Sequence, residues 1–202
     1  MEQESFEDIK KSVKNLTKLG EGWRGIVYKG KINSDLLTFK VPKNPAFIPL
    51  IQKEGKILSL INQFNIGGKL KILGKDFLAY SFIEGKHLNE VINKHNYKSL
   101  ILQLFLQARM LDRLKISKDE FHKPYKNVLV DSENRIYLID FERAKFTDYP
   151  QNITQLVQFV ITGGNKFFKD IEKEKLIELA KLYKKNQDEK NFEKILYYLN
   201  LI

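Results

Sequence analysis

Two oxygen-bearing side chains beside a short predicted hairpin have the chemistry to hold a metal ion. In NVLVDSENRIYLIDFE the segments VLV and RIYLI are strand-like, and DSEN is turn-forming. A four-residue connection places residue 130 opposite 135 and residue 127 opposite 138. Asn127 and Asp140 then point to one face, roughly 7 Å apart along the strand. An amide oxygen and a carboxylate suit Mg²⁺, with phosphates and water as its other ligands. Alternatively, both residues serve only as turn residues at strand ends.

A glycine-rich loop near the N-terminus is a candidate phosphate site. LGEGWRGIVYKG matches GxGxxGxV at Gly20, Gly22, Gly25 and Val27. Glycine has no Cβ, so backbone N–H groups can approach phosphate oxygens, and Val27 can cover a base. The strand IVYKGKI follows where a dinucleotide-binding fold needs a helix, which argues against that fold. An ordinary hairpin turn is the alternative.

A lysine and a glutamate are predicted to form a buried ion pair. Lys40 lies in the mostly apolar strand LLTFKVP, and Glu54 lies within the apolar stripe of the helix PLIQKEGKILSLI. A buried carboxylate needs a partner, and Lys40 is the natural one. The pair would present an ammonium group to the α and β phosphates of a nucleotide. Alternatively, Lys40 points to water, Glu54 lies at the edge of the stripe, or the salt bridge is only structural.

The composition restricts the class of protein. The chain has 202 residues, of which 43% are hydrophobic, enough for one domain or two small lobes. It has no cysteine, which excludes disulfides and thiol nucleophiles and favours a cytoplasmic location. The polar N-terminus is unlike a signal peptide, and the most apolar run, LILQLFL, is too short to span a bilayer, so no membrane partner is expected. A net charge of +10, mostly from lysine, leaves nucleic acid or an RNA-associated complex as a possible partner.

The sequence pattern changes near residue 85. Residues 14–84 are predicted to form strands separated by glycine turns, with one helix, and the chain beyond them is mostly helical. We therefore expect an α+β fold in a single domain over 1–202. It would have a β-rich N-lobe over about 1–84 and a compact α-rich C-lobe over about 85–202, joined near YSFIEG. A cleft between two lobes is a usual place for a ligand.

Together these features resemble the protein kinase-like superfamily over about residues 16–146. The matching residues are the glycine loop at Gly20, Gly22, Gly25 and Val27, the VAIK lysine at Lys40, its helix partner at Glu54, the catalytic-loop asparagine at Asn127 and the DFG aspartate at Asp140. The resemblance implies a two-lobed protein kinase-like fold that binds Mg-ATP. It also implies that Ser81, Phe82 and Ile83 contact adenine.

The C-terminal part is short and has no APE motif, which is similar to the small atypical kinases of the RIO type and to the predicted serine/threonine kinases of archaea. Two departures stand out. Glu142 replaces the DFG glycine, and the bulky Trp23 and Arg24 occupy the tip of the glycine loop.

The catalytic aspartate of that family is missing from its usual place. In HRDxxxxN it lies five residues before the asparagine, where this chain has His122. The resemblance favours Glu120 as the residue that positions the substrate hydroxyl, and Lys123 as the cation that neutralises the transferred phosphoryl group. Asp119 and His122 are alternative bases. Otherwise Asp119 and Glu120 only cap the turn after the long helix, and His122 belongs to the core.

The expected function is that of an ATP-dependent phosphotransferase, an atypical serine/threonine protein kinase that uses Mg²⁺ and acts on a protein acceptor. One alternative is a nucleotide-binding pseudokinase that works as an interaction or RNA-associated module. A small-molecule kinase is another, because sugar and aminoglycoside phosphotransferases share the Asn and Asp arrangement.

Overall fold

The computed structural model describes residues 4–164, 166–169 and 171–202. The chain divides into two compact units. The first consists of Met1–Glu84 with Tyr137–Arg143, and the second of Gly85–Ile136 with Ala144–Ile202. Helices and strands are both present, which confirms the α+β class. In the part of the chain that the structure describes, no helix is long and apolar enough to cross a membrane.

The first unit is built on a five-stranded antiparallel sheet with strand order β1-β2-β3-β5-β4. Its strands are β1 (Lys14–Glu21), β2 (Gly25–Ile32), β3 (Asp35–Pro42), β4 (Leu70–Leu73) and β5 (Leu78–Ser81). The β2–β3 turn shows how local sequence sets the register. Asn33 adopts a left-handed φ of 54°, which asparagine tolerates well, and Ile32 pairs with Asp35 across a two-residue turn.

Two helices pack on this sheet, α1 (Phe6–Lys10) and α2 (Ile48–Ile61). Leu37 and Phe39 on β3 join an apolar cluster with Phe6 of α1. Because side chains alternate along a strand, Lys40 points to the opposite face, where it contacts Glu54 of α2. The two helices therefore cover opposite faces of the sheet, and α2 covers the face that carries the lysine.

The second unit is mainly helical. Its helices are α3 (Leu88–Val91), α4 (Tyr97–Arg113), α5 (Asn152–Thr162), α6 (Lys173–Lys185) and α7 (Glu189–Tyr198). Its short strands are β6 (Lys86–His87), β7 (Ile116–Ser117), β8 (Val128–Val130) and β10 (Lys145–Phe146). Strand β9 (Ile136–Leu138) begins in the second unit at Ile136, and its other two residues belong to the first unit. Strand β7 pairs with β10, and β8 pairs with β6.

A buried polar network ties α4, α5 and α6 together. Asp112 Oδ1 accepts hydrogen bonds from the backbone N and from Nδ2 of Asn152, at 3.1 and 2.8 Å. Its Oδ2 accepts from the Tyr183 hydroxyl at 2.9 Å, and that hydroxyl accepts from Arg109 Nη1 at 3.1 Å. Burial raises the pKa of Asp112, because desolvation disfavours the carboxylate more than these bonds favour it. A buried network whose members are hydrogen-bonded holds helix ends in one arrangement, and this one fixes the start of α5.

Candidate functional site

The ion pair predicted between Lys40 and Glu54 is present. Lys40 Nζ donates to Glu54 Oε2 at 2.7 Å. The two side chains are 9% and 2% exposed, so the pair is almost fully removed from water. Strand alternation and the helical apolar stripe were sufficient to place both residues on facing surfaces of β3 and α2. The sequence-based alternatives, with Lys40 in water or Glu54 at the edge of the stripe, do not apply.

Glu54 also holds the segment that follows β9. Its second oxygen, Oε1, accepts a hydrogen bond from the backbone N of Phe141 at 3.0 Å. The preceding residue, Asp140, has a left-handed φ of 61°, which is uncommon for a residue other than glycine. Such a conformation persists only where neighbouring contacts maintain it. The Phe141–Glu54 bond is one of these contacts.

Lys40 is surrounded by three carboxylates. Besides Glu54, Asp140 Oδ1 accepts from Nζ at 2.7 Å, and Glu142 Oε2 lies 3.5 Å away. Burial by itself lowers the pKa of Lys40, but the charges of Glu54 and Asp140 outweigh burial and raise that pKa above its ordinary value. Lys40 is therefore a permanent ammonium group that several oxygens can share.

The glycine loop lies along the same row of the sheet as Lys40. Gly20 of β1 pairs with Val27 of β2, and Val27 pairs with Lys40 of β3. Residues directly opposite each other share one face of a sheet, so these three positions face the same side. The loop itself is closed by a hydrogen bond from Gly22 N to Gly25 O at 2.9 Å.

The three glycines of the loop differ in what the fold requires of them. A Cβ on Gly25 would lie 3.0 Å from the carbonyl oxygen of Val41, a close contact with backbone. A Cβ on Gly22 would meet only the Gly25 oxygen at 3.9 Å, and one on Gly20 would meet nothing within 4 Å. Packing therefore disfavours a side chain at position 25, but not at 20 or 22.

The residues predicted to contact adenine already take part in backbone hydrogen bonds. Ser81 N donates to Lys69 O and Phe82 N donates to Leu36 O, both at 2.9 Å. The backbone N–H groups of these two residues are therefore already used within the first unit. Ile83 follows them and is half-buried.

In the second unit, the loop with the candidate base is anchored to helix α5. Asn152 Oδ1 accepts from Lys118 N at 2.9 Å, and Asn152 Nδ2 donates to Ile116 O at 2.6 Å. Gln155 Oε1 accepts from Phe121 N at 3.0 Å. Because Asn152 is itself held by the Asp112 network, the backbone of this loop has a defined position.

Within that loop, Glu120 lies beside Asn127. Glu120 Oε2 accepts a hydrogen bond from Asn127 Nδ2 at 2.5 Å. A 3₁₀ turn at Pro124–Lys126 shortens the path between the two residues. The same Glu120 oxygen lies 3.5 Å from Lys118 Nζ, and the Lys118 side chain is only 2% exposed. An acid, an amide and a buried cation thus lie together.

The sequence did not indicate that Lys118 lies beside Glu120. The predicted cation Lys123 is exposed, and its backbone N donates to Glu120 O at 3.1 Å. The available signal was the position of Lys118 directly after β7, two residues before the acid. The other candidate bases lie close by in the chain: Asp119 has a φ of 61° and pairs with Lys145 at 3.2 Å, and His122 is half-buried.

The hairpin argument for Asn127 and Asp140 was wrong in its register. Asp131 N donates to Arg135 O at 3.1 Å, and Asn134, with a left-handed φ of 58°, completes the turn. Asp131 rather than residue 130 therefore lies opposite Arg135. The left-handed φ of Asp140 also ends the strand alternation. Alternation therefore does not put the two side chains on one face. Asn127 belongs to the second unit and Asp140 to the first.

The described residues do not include a complete set of protein metal ligands. Over 4–164, 166–169 and 171–202, no three His, Asp or Glu side chains are grouped so that they could hold a metal ion. Mg²⁺ commonly takes only one or two carboxylates from the protein and completes its shell with phosphates and water. An oxygen ligand such as Asp140 suits that kind of ion.

No protein-family model matches this sequence.

Proposed function

We propose that this chain is an ATP-dependent phosphotransferase, an atypical serine/threonine protein kinase that uses Mg-ATP. The observation that supports it best is the contact of one buried ammonium group, Lys40, with Glu54 and Asp140, on the sheet face shared with Gly20 and Val27. In this proposal the fold is kinase-like, with the first unit as the β-rich N-lobe and the second as the α-rich C-lobe.

The first unit is proposed to bind the nucleotide. Backbone N–H groups of the glycine loop and the Lys40 ammonium group bind the phosphates, and Val27 covers the base. Asp140 is a proposed ligand of Mg²⁺, which would neutralise charge on the phosphate oxygens. Glu54 does not contact the nucleotide. It keeps Lys40 charged and in place.

The second unit is proposed to supply the acid for the acceptor. The acceptor hydroxyl oxygen forms a bond to the γ-phosphorus, the bond from that phosphorus to the ADP oxygen breaks, and the hydroxyl proton passes to Glu120. Lys118, whose Nζ lies 3.5 Å from Glu120 Oε2, is proposed to balance the charge of Glu120. Lys123 stays the predicted cation for the transferred phosphoryl group. Asn127 orients Glu120 through its Nδ2.

The test is transfer of γ-labelled phosphate from ATP by wild type and by Asp140→Asn. Acceptors are the chain itself, general protein substrates and small hydroxyl compounds, with and without Mg²⁺. We expect Mg²⁺-dependent labelling of a protein by wild type and none by Asp140→Asn. Labelling of small compounds alone would make the chain a small-molecule kinase. ATP-dependent thermal stabilisation without transfer to any acceptor would favour a binding module. If ATP neither stabilises the protein nor transfers its phosphate, the proposed nucleotide chemistry is refuted.

Gly20 offers a separate test of the phosphate loop. Since a Cβ at this position meets nothing within 4 Å, Gly20→Ala is expected to keep or slightly increase the free energy of unfolding. Its Cβ would nevertheless hinder close approach of phosphate to the backbone, so we expect a Kd for Mg-ATP about tenfold higher. Calorimetry and urea unfolding measure the two effects. Gly25→Ala is the contrasting variant, expected to lose stability because of the Val41 carbonyl.

A further inference from the structure

The tip of the glycine loop carries a cation that the proposed kinase reaction does not use. Arg24 Nη1 donates to Glu142 Oε1 at 3.1 Å. The other oxygen of the same carboxylate, Oε2, lies 3.5 Å from Lys40 Nζ. Glu142 therefore bridges the loop-tip guanidinium group and the buried ammonium group, although 118 residues separate it from Arg24 in sequence.

We propose that Arg24 is a second phosphate-binding cation of this site, and that Glu142 holds its place until the terminal phosphates of a nucleoside triphosphate displace the carboxylate. This inference rests on the proposed nucleotide binding. It specifies the class of ligand, a polyphosphate rather than a monophosphate. It also proposes that the Arg24–Glu142 contact holds the glycine loop before the ligand binds.

The hydrogen-bond chemistry of Arg24 and Lys40 supports the replacement of the Glu142 carboxylate by phosphate. A guanidinium group binds carboxylate and phosphate in the same two-pronged manner, and an ammonium group binds either as a point charge. A phosphate group offers several oxygens to these donors, and more negative charge than the carboxylate that it replaces. Glu142 thus occupies, with one oxygen on each cation, the position that a phosphate would take.

Burial and contacts together indicate which carboxylate is displaced. The Glu54 side chain is 2% exposed and is held by Lys40 and by Phe141 N, so it remains. The side chain of Glu142 is 17% exposed and that of Arg24 31%, so both reach water at the edge of the cluster. The Asp140 side chain is more exposed, at 43%, but it is bonded to Lys40. Glu142 contacts both Lys40 and Arg24, and it is the carboxylate that a phosphate bound to both cations would displace.

The chain contains its own reporter for the loop. It has a single tryptophan, Trp23, which is adjacent to Arg24 and 85% exposed. When Glu142 no longer holds Arg24, the loop tip should gain freedom, and the fluorescence anisotropy of Trp23 should fall. In nucleotide-free protein, we therefore expect lower anisotropy in Glu142→Gln than in wild type. ATP should raise it again in Glu142→Gln, but not in Arg24→Ala.

The deciding experiment is calorimetric titration of wild type, Arg24→Ala and Glu142→Gln with Mg-ATP and with AMP. Arg24→Ala should weaken ATP binding by about tenfold or more, as expected for a charged hydrogen bond, and leave AMP binding unchanged. Glu142→Gln should tighten ATP binding several-fold, because it removes the competing carboxylate. If phosphate displaces Glu142 from Arg24, the two substitutions change the Kd for ATP in opposite directions.

Lys43→Ala is the matched control, because it also removes one positive charge near the loop, from an ion pair with Glu21. Its Kd for ATP should stay within about twofold of wild type, since exposed ion pairs contribute little. If both Arg24→Ala and Glu142→Gln weaken ATP binding, the ion pair merely supports the loop and the inference is wrong. The same holds if Arg24→Ala matches Lys43→Ala. If wild type binds no ATP, the proposed function fails, and this inference fails with it.

Discussion

Replacement of Lys40 by methionine is expected to lower the free energy of unfolding by about 3–5 kcal/mol and to reduce phosphoryl transfer at least about 100-fold. Methionine fills a similar volume but leaves Glu54, 2% exposed, without its counter-charge. The Phe141 N–H group still donates to Glu54, but it cannot neutralise a buried carboxylate. Urea unfolding measures the stability, and γ-labelled ATP measures the transfer.

A double variant separates the two effects. Lys40→Met with Glu54→Gln removes the orphaned charge along with the cation, and the glutamine oxygen can still accept from Phe141 N. We expect the double variant to regain most of the lost stability and none of the lost transfer. The interpretation of this pair as a buried electrostatic unit would be wrong if Lys40→Met were as stable as wild type, or if the second substitution added to the loss.

A second large effect is expected at Glu120. Glu120→Gln should lower kcat by about 10² to 10⁴, the usual contribution of a positioned acid–base group, with the Kd for Mg-ATP unchanged. Glutamine retains an oxygen that can accept from Asn127 Nδ2, so the loop keeps its geometry, but an amide cannot take the hydroxyl proton. Single-turnover transfer measures the chemical step, and calorimetry measures the nucleotide affinity.

Two variants test the alternative bases. Asp119→Asn is well matched, because asparagine tolerates the left-handed φ of 61° at this position. His122→Ala removes the half-buried imidazole group. Both should keep kcat near that of wild type. If instead Asp119→Asn or His122→Ala causes the large loss and Glu120→Gln does not, then the base has been assigned to the wrong residue.

Local sequence patterns predicted the Lys40–Glu54 pair but not the contacts of Lys40 with the carboxylates of Asp140 and Glu142. The pair follows from two short-range periodicities, one in β3 and one in α2. The contact between Arg24 and Glu142 joins residues 118 apart, and no local pattern encodes it. The same limit applies to Asp140, whose left-handed backbone is maintained by a bond between its neighbour Phe141 and a distant helix.

The second unit shows how turn chemistry misled the sequence argument. DSEN was interpreted as a four-residue connection, but the Asp131 side chain accepts from the N–H groups of Glu133 and Arg135, both at 2.9 Å. These bonds draw Asp131 into the hairpin opposite Arg135 and shift the register by one residue. A shift of one residue reverses the face of every side chain in a strand. The burial of Lys118 likewise depends on tertiary packing, which spacing alone cannot reveal.

The first unit is discontinuous in the chain, and this affects how its site can form during synthesis. Residues up to Glu84 supply the whole five-stranded sheet, with Lys40 and Glu54, but Tyr137–Arg143 are made later. Until then, Glu54 lacks its Phe141 N–H donor, and Lys40 lacks the Asp140 and Glu142 carboxylates. In a growing chain on the ribosome, Lys40 can therefore pair with Glu54 before Asp140 and Glu142 exist. The Asp140 and Glu142 carboxylates can join Lys40 only after Tyr137–Arg143 have been synthesised.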